Sequence, residues 1–214
     1  MRTILTRRFT GFPTDGLRFF KQLARHNNRD WFQAHKETYE QACREPMKDL
    51  LDELGPTFGT GQVRRINRDI RFSHDKSPYR THIAAGIGGN YIHLSAKGLY
   101  IGSGIYKPEP AALQRFRSAI DDAASGRKLQ SIVTSLRRKG YAVDTHQRLA
   151  SAPRGYASDH PRLELLRMKD IHAGRMFDPG PWLSTRQAFT RVKRVMTDTA
   201  PLVDWIRTHI GSRD

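Results

Sequence analysis

Cysteine is almost missing from this sequence: Cys43 is the only one in 214 residues. One thiol excludes an intramolecular disulfide. Cys43 lies in a helical stretch without a local activating partner, so it reads as ordinary packing or partial exposure, not as a nucleophile. Long apolar runs are missing too. No stretch approaches the roughly 20 residues that span a bilayer. The N-terminus has basic residues but neither a long apolar segment nor a small-residue cleavage site, so no membrane role and a cytoplasmic location are expected. No glycine-rich dinucleotide fingerprint follows a strand, and no Gly–Lys–Ser/Thr phosphate loop occurs, which counts against a doubly wound fold and a bound cofactor. No nucleophile elbow supports a Ser–His–Asp triad. The nine histidines are scattered, without a short zinc spacing, so no metal ligand is expected.

Acidic residues are scarce as well. There are 21 Asp and Glu against 37 Lys and Arg, a formal net charge of +16. That excess attracts anionic ligands and polyanions. The charge is spread along the chain and forms no basic tail. A chain of this length buries about 70% of its unfolded surface, so it needs no disulfide or structural metal.

The apolar pattern reads as helices, then strands, then helices. Leu17, Phe20 and Leu23, widened by Phe19, give a helix over Pro13–Ala24. Asp30 is expected to cap the next helix, with Trp31, Phe32, His35, Tyr39 and Cys43 on its face. Met47, Leu50, Leu51 and Leu54 continue the pattern until Gly55 and Pro56. Strands are expected over Thr81–Ile87, Tyr91–Leu94 and Leu99–Ile101, with antiparallel pairing because the links are short. Helices return around Leu113–Ile120 and Leu129–Leu136, with a strand at Tyr141–Val143. Pro161–Asp170 is ambiguous. Ser184 and Gln187 have capping-box spacing, and Thr199 with Pro201 is expected to open a separate last helix. The expectation is an α+β fold, a central and largely antiparallel sheet with helices packed against it, in a single domain over residues 1–214.

The run from Arg64 to Thr81 is the chemical anomaly. Six cations and two carboxylates share it. Were Ile66–Phe72 a strand, Asp69 and Arg71 would share one face, and Asp69 would hold a guanidinium in place. Ile66, Ile70, Phe72 and Tyr79 are the residues able to anchor the run in a core. Asp69, His74 and Asp75 are the candidate acid–base residues. Arg71, Lys76, Tyr79 and Arg80 are candidate ligand contacts. Lys107 after the last strand, and Arg154 and Tyr156 in a proline-bounded loop, are further candidates. A structural Arg–Asp network fits the same residues.

Four segments stand out: NNRDWFQAHKETY from Asn27, RINRDIRFSHDKSPYRT from Arg65, GSGIYKP from Gly102 and PRGYASDHP from Pro153. On these the chain resembles an uncharacterised family of bacteria and fungi, known as domain of unknown function 2461. The segments spread over most of the chain. In that family lysine is common where this chain has His74 and Arg80, and the resemblance implies no activity.

Three function classes fit. The first is binding, with or without enzymatic processing, of a phosphate-bearing small molecule at the Arg/Asp/Lys site. The second is non-specific nucleic-acid binding. The third is a structural or protein-interaction module. The sequence does not fix the oligomeric state.

Overall fold

A computed structural model describes residues 8–71 and 73–211. Phe72, expected as a core anchor, lies outside the described residues. The chain runs α1 (Thr14–Leu23), α2 (Arg29–Ala34), α3 (Lys36–Tyr39), a π-helical turn (Glu40–Arg44) and α4 (Glu45–Phe58). Then come β1 (Gly61–Val63), β2 (His82–Ile87), β3 (Asn90–Ser95) and β4 (Gly98–Ile105). The remainder is α5 (Pro110–Asp121), α6 (Ala123–Arg138), β5 (Ala142–Asp144), α7 (Leu163–Leu166), β6 (Ile171–Phe177), a 3-10 turn (Pro181–Ser184) and α8 (Gln187–His209). The fold is α+β, with antiparallel strand pairs and helices packed on them. The residues form two compact units: one up to Ile101 together with Met176–Arg194, the other Gly102–Arg175 together with the residues from Val195 on.

In the first unit the strand order is β1-β2-β3-β4. The β2–β3 register opposes Ile83 to Leu94 and Ala85 to Ile92, so these share the buried face. Ala84 opposes His93 and Gly86 opposes Tyr91 on the other face, as the period of two requires. Gly88 and Gly89 close the hairpin with φ of 52° and 79°. A Cβ on Gly88 would lie 2.1 Å from the Phe58 carbonyl oxygen, so only glycine fits there. Helix α1 packs on β3, and α4 on β1 and β2. The buried faces of these helices carry Phe19, Phe20 and Leu23, and Met47, Leu50, Leu51 and Leu54. The Phe19 ring touches Phe20, Trp31, Phe32 and Tyr39.

In the second unit the strand order is β4-β6-β5, and α6 packs on β5. Asp122 caps α6 by accepting the N–H groups of Ala124 and Ser125 at 3.1 and 2.8 Å. Trp205 is buried against Phe116 and donates its indole N–H to the Ser125 carbonyl at 3.0 Å. Ser103 and Thr199 form a buried hydroxyl pair at 2.6 Å.

Local chemistry moved several boundaries. Asn28, not Asp30, caps α2, because its side chain accepts the Trp31 N–H. Helix α4 continues through Gly55 and Pro56 to Phe58. The Thr185 hydroxyl, not Ser184, accepts the Gln187 N–H at the start of α8. That helix passes through Pro201 without a break, so the two expected C-terminal helices are one. Residues 66–71 form no strand; they make a single bridge, Asn67 to Tyr79.

Candidate functional site

Two of the singled-out segments meet in the first unit. Asn27 brackets the backbone of Tyr79, donating from Nδ2 to its carbonyl at 2.9 Å and accepting its N–H at 3.1 Å. The Tyr79 ring stacks on Phe32, with centroids 4.0 Å apart and planes 18° apart. Asn27 thus does for Tyr79 what a neighbouring strand would do, and satisfies both backbone groups of a buried residue.

The polar run folds back on itself. Arg80 N–H donates to the Ile66 carbonyl at 2.8 Å, and Arg68 N–H to the Pro78 carbonyl at 2.9 Å. The intervening loop is pinned by its own charges. Asp69 accepts two guanidinium bonds from Arg71, at 3.0 and 2.7 Å, and both residues are exposed. Asp75 pairs with Arg68 and accepts the Ser77 N–H at 2.9 Å. Hydrogen bonds from Ser77 and then Arg68 hold the Asp75 carboxyl well below the usual range, and Arg71 does the same for Asp69. Lys76 donates to the Ile70 carbonyl at 3.2 Å. His74 and Arg80 are exposed.

Tyr79 also lines a groove of about 360 Å³. Gln33, Lys36, Tyr39, Glu40 and Arg44 line it from the helical segment, and residues 63–67 line it from the end of β1 and the chain that follows. Phe32, Tyr39 and Tyr79 supply apolar surface; Lys36, Arg44, Arg64 and Arg65 supply charge. The π-helical turn contributes Glu40 and Arg44, which pair at 3.2 Å. Such turns insert one extra residue and recur at functional sites.

Arg64 connects the groove to the polar face of the sheet. Its guanidinium lies over the Tyr91 ring, 5.3 Å from the centroid. The Tyr91 hydroxyl is 3.5 Å from His82 Nε2. His93 lies 5.0 Å from His82 and stacks on Tyr100 at 5.3 Å, centroid to centroid. Burial, then the nearby His82, pushes the His93 imidazole down to about 4, and its Nδ1 is buried without a hydrogen-bond partner.

In the second unit, Lys107 follows β4 with φ of 45°, the one positive φ outside glycine among the described residues. Its N–H points to Asp170 Oδ2 at 3.5 Å. Arg154 is exposed and Tyr156 half-buried in a turn closed by the Tyr156 N–H on the Pro153 carbonyl at 3.1 Å. The sequence-selected residues therefore divide: Asp69, Arg71, His74, Asp75, Lys76, Tyr79 and Arg80 belong to one unit, Lys107, Arg154 and Tyr156 to the other.

A second cluster lies outside the residues that the sequence singles out. His146, Asp170 and His172 bring one ligand-type atom each to within 4.8 Å of one another. Asp170 is buried, and His146 Nδ1 is 3.3 Å from its Oδ2. Burial alone would raise the Asp170 carboxyl; the His146 N–H, the Thr145 hydroxyl and the Lys107 N–H reverse this and hold it below the usual range. A signal was available: Asp170 and His172 have the i, i+2 spacing that puts two residues on one strand face. The signal is weak, because residues up to Asp170 show no clear period and Asp170 itself precedes β6.

No curated protein and no solved structure matches the chain. One family matches residues 15–205, described as Conserved hypothetical protein (DUF2461), and with most of its length inside that match the chain belongs to this family.

Proposed function

We propose that the first unit binds a phosphate-bearing small molecule in the groove between the helical residues 33–44 and the segment 63–67. The supporting observation is the sign of the lining. Lys36, Arg44, Arg64 and Arg65 stand against one carboxylate, Glu40, in about 360 Å³. A guanidinium offers a planar fork of donors matched to phosphate oxygens, and an aromatic wall suits a ring beside the phosphate. The volume falls at the lower end of small-ligand pockets, roughly 300–1,000 Å³. The loop cations Arg71, Lys76 and Arg80 follow Arg64 and Arg65 in the chain and are not among the groove's lining residues.

Nucleic acid is the second reading, favoured by the net charge of +16. Salt separates the two. Affinity for a strand that contacts several phosphates falls steeply with salt, whereas one phosphate gives a shallow slope.

The experiment is calorimetric titration with inorganic phosphate, a nucleoside monophosphate, a sugar phosphate and a short single strand, at two salt concentrations. The double variant R64A/R65A should weaken binding by about 10-fold or more, the scale of losing one charged hydrogen bond. R71A/R80A measures what the loop adds. Circular dichroism checks that both variants remain folded. Failure of every phosphate-bearing probe to bind, or unchanged binding by folded R64A/R65A, would overturn the proposal.

A further inference from the structure

We infer that His146, Asp170 and His172 form a binding site for one divalent transition-metal ion of the imidazole-preferring kind, with zinc as the representative. The site lies wholly in the second unit and does not rest on the anion groove.

The backbone assembles it in three steps. Strands β5 and β6 pair antiparallel, with Asp144 opposite His172. The pairing continues irregularly past β5: Lys169 N–H donates to the Gln147 carbonyl at 3.0 Å, Leu149 N–H to the Arg167 carbonyl at 2.8 Å, and Arg148 bridges Met168. This carries His146 back beside Asp170, at the entry to β6.

The carboxylate is then oriented before any ion arrives. Asp170 Oδ1 accepts the Thr145 hydroxyl and the His146 N–H, both at 2.8 Å. Oδ2 is the oxygen nearer the imidazole, 3.3 Å from His146 Nδ1. A carboxylate only 1% exposed is costly unless its oxygens are satisfied, and a bound cation satisfies it more strongly than one imidazole. The rings of His146 and His172 lie 4.5 Å apart, and His172 Nδ1 is buried with no hydrogen-bond partner. A ring nitrogen without a partner is an unmet acceptor or donor. Ligation of either His172 nitrogen fixes the tautomer and gives that ring a strong bond.

Spacing and donor type agree with this. Zinc takes imidazole nitrogen and carboxylate oxygen at about 2.0–2.2 Å in tetrahedral geometry, so its ligand atoms lie roughly 3.3 Å apart. A set already within 4.8 Å needs only small rotamer movements. Two imidazoles and one carboxylate suit zinc, iron, nickel or copper, whereas an all-oxygen set would suit magnesium, calcium or manganese. Three protein ligands leave coordination positions open, the arrangement of reactive metal centres rather than of closed structural ones.

Thr145 is the positioning residue. Its hydroxyl holds Asp170 without being a ligand, and outer partners of this kind carry about 10–100-fold in metal affinity.

The full chain, stripped with a chelator, would be titrated with Zn²⁺ by calorimetry and with Co²⁺ by visible absorption. One ion per chain is expected, with a cobalt spectrum showing nitrogen and oxygen ligation. H146A and H172A should each weaken binding at least about 10-fold, and T145V by about 10-fold. H26A, an exposed histidine elsewhere, should bind as the parent does. Asp170 also holds the His146 backbone, so the two histidine variants carry the test, and both are checked for folding by circular dichroism. No stoichiometric Zn²⁺ binding, or equal binding by folded H146A and H172A, overturns the inference. Unchanged affinity in T145V overturns the positioning role.

Discussion

Arg186 grips Glu53 with both terminal guanidinium nitrogens, at 2.5 and 2.6 Å, across 133 residues of chain. The same guanidinium donates to the Phe9 carbonyl at 2.7 Å, and Glu53 also accepts the Phe9 N–H at 3.2 Å. Three separate segments of the first unit are tied at one point. Both side chains are partly exposed, 36% and 24%, so solvent screening lowers what the pair is worth. R186K keeps the charge but loses the fork, and should destabilise by about 1–2 kcal/mol in urea unfolding. The hydrogen bond from Arg186 lowers the Glu53 pKa. A carboxylate with a depressed folded pKa contributes stability above its unfolded pKa, about 4.3, and loses it as pH falls through the folded value. E53Q should therefore flatten the acid limb of the stability curve below about pH 4.

Asn27 makes a second prediction. Loss of both its bonds to Tyr79 in N27A leaves a buried backbone pair unsatisfied, and should cost about 1–3 kcal/mol. The loop between Arg68 and Pro78 should then be cut by protease at a lower concentration than in the parent. Equal cutting and equal unfolding midpoints would show that the bracket is dispensable.

Gly16 sits inside α1, where alanine ordinarily stabilises a helix by up to about 1 kcal/mol. Here a Cβ would lie 2.7 Å from the Ala42 carbonyl oxygen and 3.4 Å from Cys43 Sγ. G16A should instead destabilise by about 1–3 kcal/mol, because the π-helical turn must move. Cys43 is 0% exposed and burial pushes its thiol up, so a thiol reagent should label it only on unfolding in the parent, and faster in G16A.

His93 predicts a pH effect of the same sign at higher pH, from a buried base instead of a paired acid. Its folded pKa, about 4, lies below the unfolded value near 6.5. As pH falls, the unfolded chain takes up the proton first. The stability contributed by neutral His93 is thus complete above about pH 6.5 and is lost progressively toward pH 4. His82, lowered by burial and then by Arg80, acts in the same sense. H93F keeps a ring against Tyr100 and removes the titration. Its unfolding midpoint should change less between pH 7 and pH 5 than the parent's does.

Much of the framework was legible in the sequence. Leu50, Leu51 and Leu54 lie on the buried face of α4, where the 3.6 period put them, and Tyr91 and His93 alternate with Ile92 and Leu94 as a half-buried strand must. These features depend on neighbours in the chain, and side-chain periodicity records them. The family signature in residues 27–39 and 65–81 was legible for the same reason. The run from Arg64 to Thr81 stands out in the sequence as a unit, but residues 66–71 form no strand, because the charges pair within the loop at short range and the Tyr79 backbone finds Asn27 instead of a ladder.

What only the tertiary structure decided is which distant groups meet. Asn27 on Tyr79, Glu53 on Arg186, and His146 between Asp170 and His172 each join residues 24 or more positions apart. No local pattern encodes such a meeting. It is set by strand register and by the burial that forces each polar group to find a partner, and both exist only once the chain has folded.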